Sequence, residues 1–261
     1  MKVYQYKKVN AFTQGESKGN PAAYLKVNQA LSGQEMLSIG KEHAGFVSEV
    51  VFCEPSSVAD FKLVYYSSEC EVEFCGHGTV ATMYDLINND ASLKEKDEVT
   101  IETNTKGILT VYNRIPMEDA VYITAPKAIH LEQKLSKVQI SKALSIDEND
   151  ISDEYEIDFI DAGLRTLLVP IKKFEKEISI YPNEAELKEF CHNNGIDIIL
   201  VFSKEASDTK YMAHTRVFAP KFGYLEDPAT GSGNSAFANY LLKYKIYPWK
   251  DLKRHIHTQL K

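Results

Sequence analysis

The sequence predicts an α+β protein built of two similar lobes, and three observations lead to this fold class. Strand-like and helix-like patterns are mixed along 261 residues, a length that can bury a sizeable core in one or two domains. The strands look antiparallel, since tight turns rather than helices separate several of them. A segment near residue 71 is echoed near residue 226, each copy following a strand and opening a helix.

Composition and charge exclude several classes of function. Apolar residues make up 44% and charged residues 26%, as in a soluble globular protein. The net charge of −7 gives no basic surface for nucleic acid or an anionic membrane. No apolar run approaches membrane-spanning length, and the start MKVYQYKKVNAF lacks the apolar core of a signal peptide. Four cysteines without a regular framework indicate reduced thiols, so we expect a cytoplasmic protein that binds neither nucleic acid nor membrane.

The first lobe is predicted to span residues 1–125. Its helices are predicted over SGQEMLSIGKEHA, where Ser32 is the N-cap and Glu35 completes a capping box, and from Gly76 to Leu86. Its strands are predicted over VYQYKKVNAF, FVSEVVFCE, FKLVYYSS, the hairpin VTIETN and GILTVYNRI, and VYITAP. The segment QGESKGNPAAY is rich in turn residues.

The second lobe is predicted to span residues 126–261, with the active site at the interface between the lobes. The charged, helical stretch 126–153 is our candidate for the connection between them. A strand over DFIDAGLRTLLVPI, a helix over NEAELKEFCHNNG with Asn183 as N-cap, and strands over DIILVFSK and YMAHTRVFAP follow. A glycine-rich element then leads into the helix NSAFANYLLKY.

The internal echo has an offset of 155 residues. It places EVEFCGHGTVATMYDLI over EDPATGSGNSAFANYLL, with one Glu, two Gly, one Ala and one Leu in common. In each copy the glycines let the backbone turn tightly into a helix whose first N–H groups have no partner. Such a helix start attracts anions. Two of them facing each other across a lobe interface would hold a carboxylate-bearing substrate from both sides.

Three other interpretations of these glycine segments remain open at this point. Both copies fit G-x-G-x-x-A, a variant of the dinucleotide fingerprint, although no parallel βαβ frame surrounds them. Cys70, Cys75 and His77 are zinc-ligand types, although no fourth ligand with suitable spacing follows. Close packing of helix on strand would explain the glycines, but it leaves His77, Asp227 and Ser232 unexplained.

Five motifs make the sequence resemble a known family. They are GNPAAY (19–24), SEVVF (48–52), EVEFCGHGT (71–79), GLRTLLVP (163–170) and RVFAPKFGYLEDPATGSGNSAFANYLL (216–242). In this order they resemble the PhzF family of phenazine-biosynthesis-like isomerases. The resemblance implies the diaminopimelate-epimerase-like fold, in which each of two α+β lobes is a curled, mostly antiparallel sheet around a central helix.

The resemblance also implies which residues form the site. Glu49 matches the catalytic carboxylate of the family, and His77 and Asp227 match its catalytic partners. The implied reaction is an isomerisation that moves a proton between carbons of a small carboxylate, with no cofactor and no metal. The residues expected to bind the substrate are Asn20, Gly76, Gly78, Gly231, Ser232 and Gly233.

The chemistry of Glu49 fits this role. On a strand it would share a buried face with Val47 and Val51, and an apolar setting disfavours a charged carboxylate, which suits a base that works near neutral pH. The related epimerases use two cysteines at the positions aligned with Cys75 and Thr230. Only one thiol remains here, which argues against racemisation by a cysteine pair.

Several alternatives stay open. Asp227 has a helix-capping alternative, Ser232 could be an ordinary first-turn residue, and Arg165 fits a surface role better than that of a carboxylate partner. The chain ends at WKDLKRHIHTQLK, where the family resemblance implies a further segment that completes a sheet. A catalytically silent ligand-binding protein and a nicotinamide-dependent oxidoreductase are the alternative functions, and the resemblance leaves a homodimer open.

Overall fold

The computed structural model describes residues 4–13, 17–208 and 211–246. These residues form two compact units. The first consists of the described residues up to Pro126 together with Ala229–Ser232, and the second consists of Lys127–Pro228 and Gly233–Ile246. Residues 229–232, which the sequence analysis assigned to the second lobe, therefore cluster with the first unit.

The first unit is a mostly antiparallel sheet with helices. Its helices are α1 (Gly33–Glu42), α2 (Gly76–Asn89), α3 (Ala91–Lys94) and α4 (Ile115–Glu118). Its strands are β1 (Gln5–Ala11), β2 (Asn20–Lys26), β3 (Val50–Glu54), β4 (Phe61–Tyr66), β5 (Glu71–Val72), β6 (Glu98–Thr103), β7 (Gly107–Asn113) and β8 (Val121–Ile123). Within the described part of the chain they form one eight-stranded sheet in the order β1-β2-β3-β4-β6-β7-β8, with β5 on β4. Only the β2–β3 and β4–β6 pairs are parallel among these strands.

Strand β3 is buried on both faces, and this explains its uninterrupted apolar run. Val50 and Phe52 pack in a cluster with Met36 of α1. Val51 points the other way, because successive strand side chains alternate, and it lies against Gly78 of α2. Helix α2 contacts β1, β2, β3 and β8, so it is the central helix of this unit.

The predicted start of α1 is confirmed in detail. The Ser32 side chain accepts a hydrogen bond from the Glu35 N–H, and the Glu35 carboxylate accepts one from the Ser32 N–H. This reciprocal capping box satisfies two backbone donors that the first helical turn leaves free.

The second unit is a six-stranded sheet, among the described residues, in the order β14-β13-β12-β11-β10-β9. Its strands are β9 (Ile129–Leu131), β10 (Asp158–Asp161), β11 (Arg165–Pro170), β12 (Ile198–Ser203), β13 (His214–Phe218) and β14 (Glu226–Asp227). Only the β11–β12 pair is parallel among them. Its helices are α5 (Lys137–Leu144), α6 (Phe174–Ile178), α7 (Glu184–Asn193) and the body of α8 (Gly231–Lys243), and two short 3₁₀ helices cover Glu148–Asp150 and Pro220–Phe222.

Aromatic packing fixes α8 on this second sheet. The ring of Phe202 on β12 lies 4.8 Å from the ring of Phe237 and 5.2 Å from that of Tyr240, centroid to centroid. The Tyr240 hydroxyl donates a hydrogen bond to the Glu156 carbonyl at 2.8 Å, which satisfies the polar end of a buried ring. The predicted α+β class, with a mostly antiparallel sheet and a packed helix in each lobe, is confirmed.

One strand was missed in the turn-rich segment QGESKGNPAAY. Its last five residues open β2, which pairs with β1 on one side and with β3 on the other. The turn before β2 requires glycine at position 19, because the φ of Gly19 is +65° and an added Cβ would lie 2.0 Å from the Ala11 carbonyl oxygen. The glycine signal is therefore local to the turn before β2, whereas Pro21 lies within the strand and is followed by the buried Ala22 and Ala23.

Two predictions about the second lobe were wrong. The stretch 126–153 is not a linker, because it supplies β9 and α5, and Ile140 and Leu144 lie in the core of the second unit. The single strand predicted over DFIDAGLRTLLVPI is a hairpin of β10 and β11. It turns at Gly163, where φ is 122° and the N–H donates to the Asp161 side chain.

The position of Glu49 also differs from the prediction. Strand β3 begins at Val50, so Glu49 is the residue directly before it. Val47 does not share its surroundings, because it packs with the α1 cluster on the other face of the sheet. Among the described residues, no helix combines the length and the apolar character needed to cross a membrane.

Candidate active site

A carboxylate, a thiol and an imidazole meet in the first unit. Glu49 Oε2 lies 3.3 Å from His77 Nε2 and 3.7 Å from Cys75 Sγ. The same sulfur lies 3.5 Å from His77 Nδ1. All three residues are buried, with exposed fractions of 3% for Glu49 and His77 and 4% for Cys75. Titratable groups this deeply buried are uncommon without a partner, and here each has the other two.

The start of α2 positions two members of this cluster. Cys75 is the N-cap, in an extended conformation, and its sulfur accepts a hydrogen bond from the Gly78 N–H at 3.3 Å. His77 follows in the first turn of the helix. The Thr79 hydroxyl donates to the Cys75 carbonyl at 2.8 Å, so the buried Tyr65 hydroxyl, 2.7 Å from it, must be the donor to Thr79. Tyr65 and β4 thereby hold the helix start in place.

Gly78 is required where α2 approaches β3. An added Cβ at this position would lie 2.8 Å from Cys75 Sγ and 2.8 Å from Val51 Cγ2, closer than side chains pack. Because Gly78 has no side chain, the start of α2 can pack against β3, the strand that directly follows Glu49. The second glycine of the motif therefore explains how His77 comes within reach of Glu49.

Burial decides the protonation of His77. It lowers the pKa of the imidazole to about 4, so the ring is neutral near neutral pH. A neutral imidazole has one N–H and one free ring nitrogen. His77 Nε2 lies 3.3 Å from Glu49 Oε2, near enough for a proton to pass between the two groups. Such a pair can take up or release a proton without leaving two charges buried.

The starts of α2 and α8 lie side by side within the first unit. An added Cβ on Gly76 would lie 3.0 Å from the Gly231 Cα, so neither position accepts a larger residue without a shift. The Asn20 side chain donates to the Ala229 carbonyl at 2.9 Å and ties β2 to the loop before α8. Two helix starts in contact place the N–H groups of their first turns and their positive dipole ends at one place, which favours an anion.

Ser232 adds a hydroxyl to these helix starts. It is 2% exposed, and its Oγ has no hydrogen-bond partner among the described residues. A buried hydroxyl without a partner costs free energy, which a ligand acceptor would recover. This observation supports a binding role for Ser232 rather than that of an ordinary first-turn residue.

The remaining predicted residues lie in the second unit. Asp227 is half-buried in β14, opposite Val217 in register, and Gly233 lies in the first turn of α8. Arg165 is engaged elsewhere, because its guanidinium makes two hydrogen bonds of 3.1 and 2.9 Å to the buried Asp197. Its role in the second unit is that of an ion-pair partner for this aspartate.

The cluster of possible metal ligands differs from the one considered in the sequence. Among the described residues, Glu49, Cys75 and His77 bring ligand atoms within 4.8 Å of one another, and Cys70 is not a member. The sequence identified Glu49 and His77, and the comparison with the related epimerases placed Cys75 at the position of a catalytic cysteine. It did not show that Cys75 contacts both Glu49 and His77, nor that Tyr65 supports the helix start.

Comparisons with known proteins show the family of the chain and its similarity to several relatives. The sequence model of the PhzC-PhzF family, described as phenazine biosynthesis-like protein, matches residues 9–257. The chain is 30% identical over 248 residues to the uncharacterized isomerase YfhB of Bacillus subtilis, covering 94% of this chain and 83% of that protein. It is 26% identical over 250 residues to the uncharacterized isomerase CA_C3446 of Clostridium acetobutylicum, covering 94% and 82%. The crystal structure of a PhzF-family phenazine biosynthesis protein from Bacillus anthracis matches with a TM-score of 0.74 and 28% identity, covering 91% of this chain and 80% of that one.

Proposed function

The chain belongs to the PhzC-PhzF family of phenazine biosynthesis-like proteins, and we propose that it is an isomerase that moves a proton between carbon atoms of a small carboxylated substrate, with Glu49 as the acid–base group. The relatives named as isomerases support an isomerase or epimerase role. The single observation that supports Glu49 is its burial 3.3 Å from the neutral imidazole of His77.

The pairing with His77 gives Glu49 the properties of a proton carrier. A buried carboxylate that removes a proton from carbon becomes neutral, and the low local dielectric favours the neutral form. His77 can then hold or return the shared proton and keep the carboxyl group oriented. General acid–base groups act best when both protonation states are accessible near the working pH. Asp227, in the EDPATGS motif, is proposed as a further acid–base group on the family pattern.

The carboxylate of the substrate is proposed to bind at the two adjoining helix starts. Backbone N–H groups near Gly76 and Gly231 and the hydroxyl of Ser232 supply donors without a positively charged side chain. An anion held there would lie beside the helix that carries His77. Gly78 and Gly233 were predicted as substrate-binding residues. We propose that Gly78 acts indirectly, by letting α2 approach β3, because its N–H already donates to Cys75 Sγ.

Isotope exchange tests the proposed reaction. Small carboxylates are first screened by thermal shift, because a ligand that binds only the native state raises the melting temperature. Each ligand found is then incubated with the protein in deuterium oxide. A single carboxyl group that removes and returns the proton predicts product with less than full deuterium at the protonated carbon in the first turnover. Ligands that bind tightly but give neither an isomerised product nor exchange of a carbon-bound proton would contradict the isomerase proposal.

Replacing Ser232 with alanine is expected to weaken carboxylate binding by about 10–100-fold, because a hydrogen bond to a charged group contributes about 1.5–3 kcal/mol. Folding stability should not fall, since the hydroxyl has no partner to lose among the described residues. Affinity is measured by calorimetry with the tightest carboxylate from the screen, and stability by thermal melting.

Thr82→Val is the matched control for this prediction. The Thr82 hydroxyl is also buried without a partner among the described residues, but it lies in the middle of α2. Its removal should leave carboxylate affinity within about twofold of the parent. Equal losses of affinity in both variants, or no loss in Ser232→Ala, would remove Ser232 from the proposed site.

A further inference from the structure

The cluster of Glu49, Cys75 and His77 contains a sulfur atom that the proposed proton transfer does not use. The three atoms Oε2, Sγ and Nε2 form a triangle with sides of 3.3, 3.7 and 4.0 Å. In a tetrahedral zinc site, bonds of about 2.0–2.3 Å to such ligands place the donor atoms about 3.3–3.6 Å apart. The triangle is thus close to one face of a zinc coordination tetrahedron.

We propose that Glu49, Cys75 and His77 bind Zn²⁺ and that the bound ion inhibits the protein by occupying its acid–base group. One carboxylate oxygen, one thiolate and one imidazole nitrogen are the ligand types that Zn²⁺ takes in proteins. Water or the carboxylate of a ligand completes the fourth position. Binding of the ion does not depend on the proposed function, whereas inhibition rests on it.

Charge balance favours this ion in a buried cluster. A thiolate and a carboxylate together neutralise Zn²⁺, and the neutral imidazole adds a lone pair without adding charge, so no net charge is buried. Cys75 gives up its thiol proton to solvent when the ion binds. The Gly78 N–H already donates to Sγ at 3.3 Å, a contact that a metal-bound thiolate would keep.

The same set of donors discriminates against the common hard cations. Mg²⁺ and Ca²⁺ require six or more ligands that are mainly oxygen atoms, and this cluster offers a soft sulfur and a single carboxylate. The proposed ligand is therefore a divalent transition-metal ion of the zinc type. Magnesium at millimolar concentration should neither bind at the cluster nor inhibit.

Cobalt provides a spectroscopic probe of the proposed site in the full-length protein, purified with chelator and then freed of it. Titration with Co²⁺ is expected to give one equivalent of binding with a thiolate-to-cobalt charge-transfer band and the intense visible bands of tetrahedral cobalt. Zn²⁺ should displace the cobalt and abolish both signals. Absence of the charge-transfer band in the parent protein overturns the proposal.

Variants locate the site and separate binding from inhibition. Cys75→Ser should lose the charge-transfer band, and the matched control Cys70→Ser, outside the cluster, should keep it. If Cys75→Ser does not fold, Glu49→Gln replaces it and should weaken Co²⁺ binding at least about tenfold. A band that survives Cys75→Ser, or undiminished binding in Glu49→Gln, places the ion elsewhere and overturns the proposal. Binding at the cluster without loss of proton exchange would instead contradict the role of Glu49 in catalysis.

Discussion

Replacing Glu49 with glutamine is expected to lower turnover by at least about 10²–10⁴-fold, the usual contribution of a general acid–base group. The amide keeps the shape of the carboxyl group and its ability to hydrogen-bond with His77 and Cys75, but it cannot accept a proton from carbon. The protein should therefore fold and bind its carboxylate ligand. Turnover is measured as exchange of the carbon-bound proton in deuterium oxide, with ligand affinity determined on the same preparation.

Glu54→Gln is the matched control for this prediction. Glu54 is also a buried glutamate and lies at the other end of β3, where Oε1 accepts the Leu31 N–H. Its substitution can cost stability, but it should leave turnover per folded molecule within about twofold of the parent. If Glu49→Gln folds, binds and turns over within about tenfold of the parent, Glu49 is only a buried neighbour. The base would then have to be His77 or Asp227.

The sequence correctly predicted features that depend on residues close together in the chain. The capping box of Ser32 and Glu35 and the helix start at Gly76 depend on residues three or four positions apart, and both are present as predicted. The glycine pair of the echo predicted two similar helix starts. The contact between Gly76 and Gly231 follows from the tertiary fold, and only the internal repeat hinted at it.

The failures share a physical reason, which is that burial overrides local propensity. Strand β2 follows Gly19 and contains Asn20, Pro21 and two alanines, so its strand pattern is weak, yet β1 and β3 pair with it on both sides. The helix α5 looked like a charged linker because only one of its faces, with Ile140 and Leu144, enters the core. The contacts of Cys75 with Glu49 and His77 depend on the close approach of α2 to β3. This approach is a tertiary feature that the sequence pattern does not predict.

The second unit contains a buried carboxyl group with a different role, that of Glu177 in α6. Its side chain is fully buried, and Oε1 lies 2.8 Å from His214 Nδ1, while Arg216 donates to its backbone carbonyl at 2.8 Å. Burial raises the pKa of Glu177 to about 7, although the hydrogen bond with His214 and the charges of His214 and Arg216 act in the opposite direction. Glu177 is therefore expected to link the stability of the second unit to pH.

The direction of this pH dependence follows from the pKa of Glu177 in the unfolded and folded states. In the unfolded chain the pKa of a glutamate is about 4.3, so folding raises the pKa of Glu177 to about 7. Its contribution to stability is therefore fully present below about pH 4.3 and is lost as the pH rises through about 7. A rise from about 4.3 to about 7 corresponds to about 4 kcal/mol at most. Glu177→Gln mimics the neutral form, so its advantage over the parent should be only about 1 kcal/mol at pH 5. Above pH 8 the variant should be more stable by about 3–4 kcal/mol.

Urea unfolding of parent and variant across pH 5–9 measures this difference, and Asp197→Asn supplies a control of opposite sign. Asp197 is also buried, but hydrogen bonds from Arg165 and Lys221 outweigh its burial and hold its pKa below the usual value. Its replacement should therefore destabilise most at high pH, with the loss shrinking as the pH falls through the lowered pKa. Across pH 5–9 the loss caused by Asp197→Asn should be constant, because this carboxyl group titrates below the usual aspartate pKa of about 3.9, whereas the gap between Glu177→Gln and the parent should widen as the pH is raised. A pH-independent difference between parent and Glu177→Gln would show that Glu177 stays in one protonation state across this range, which would contradict the prediction.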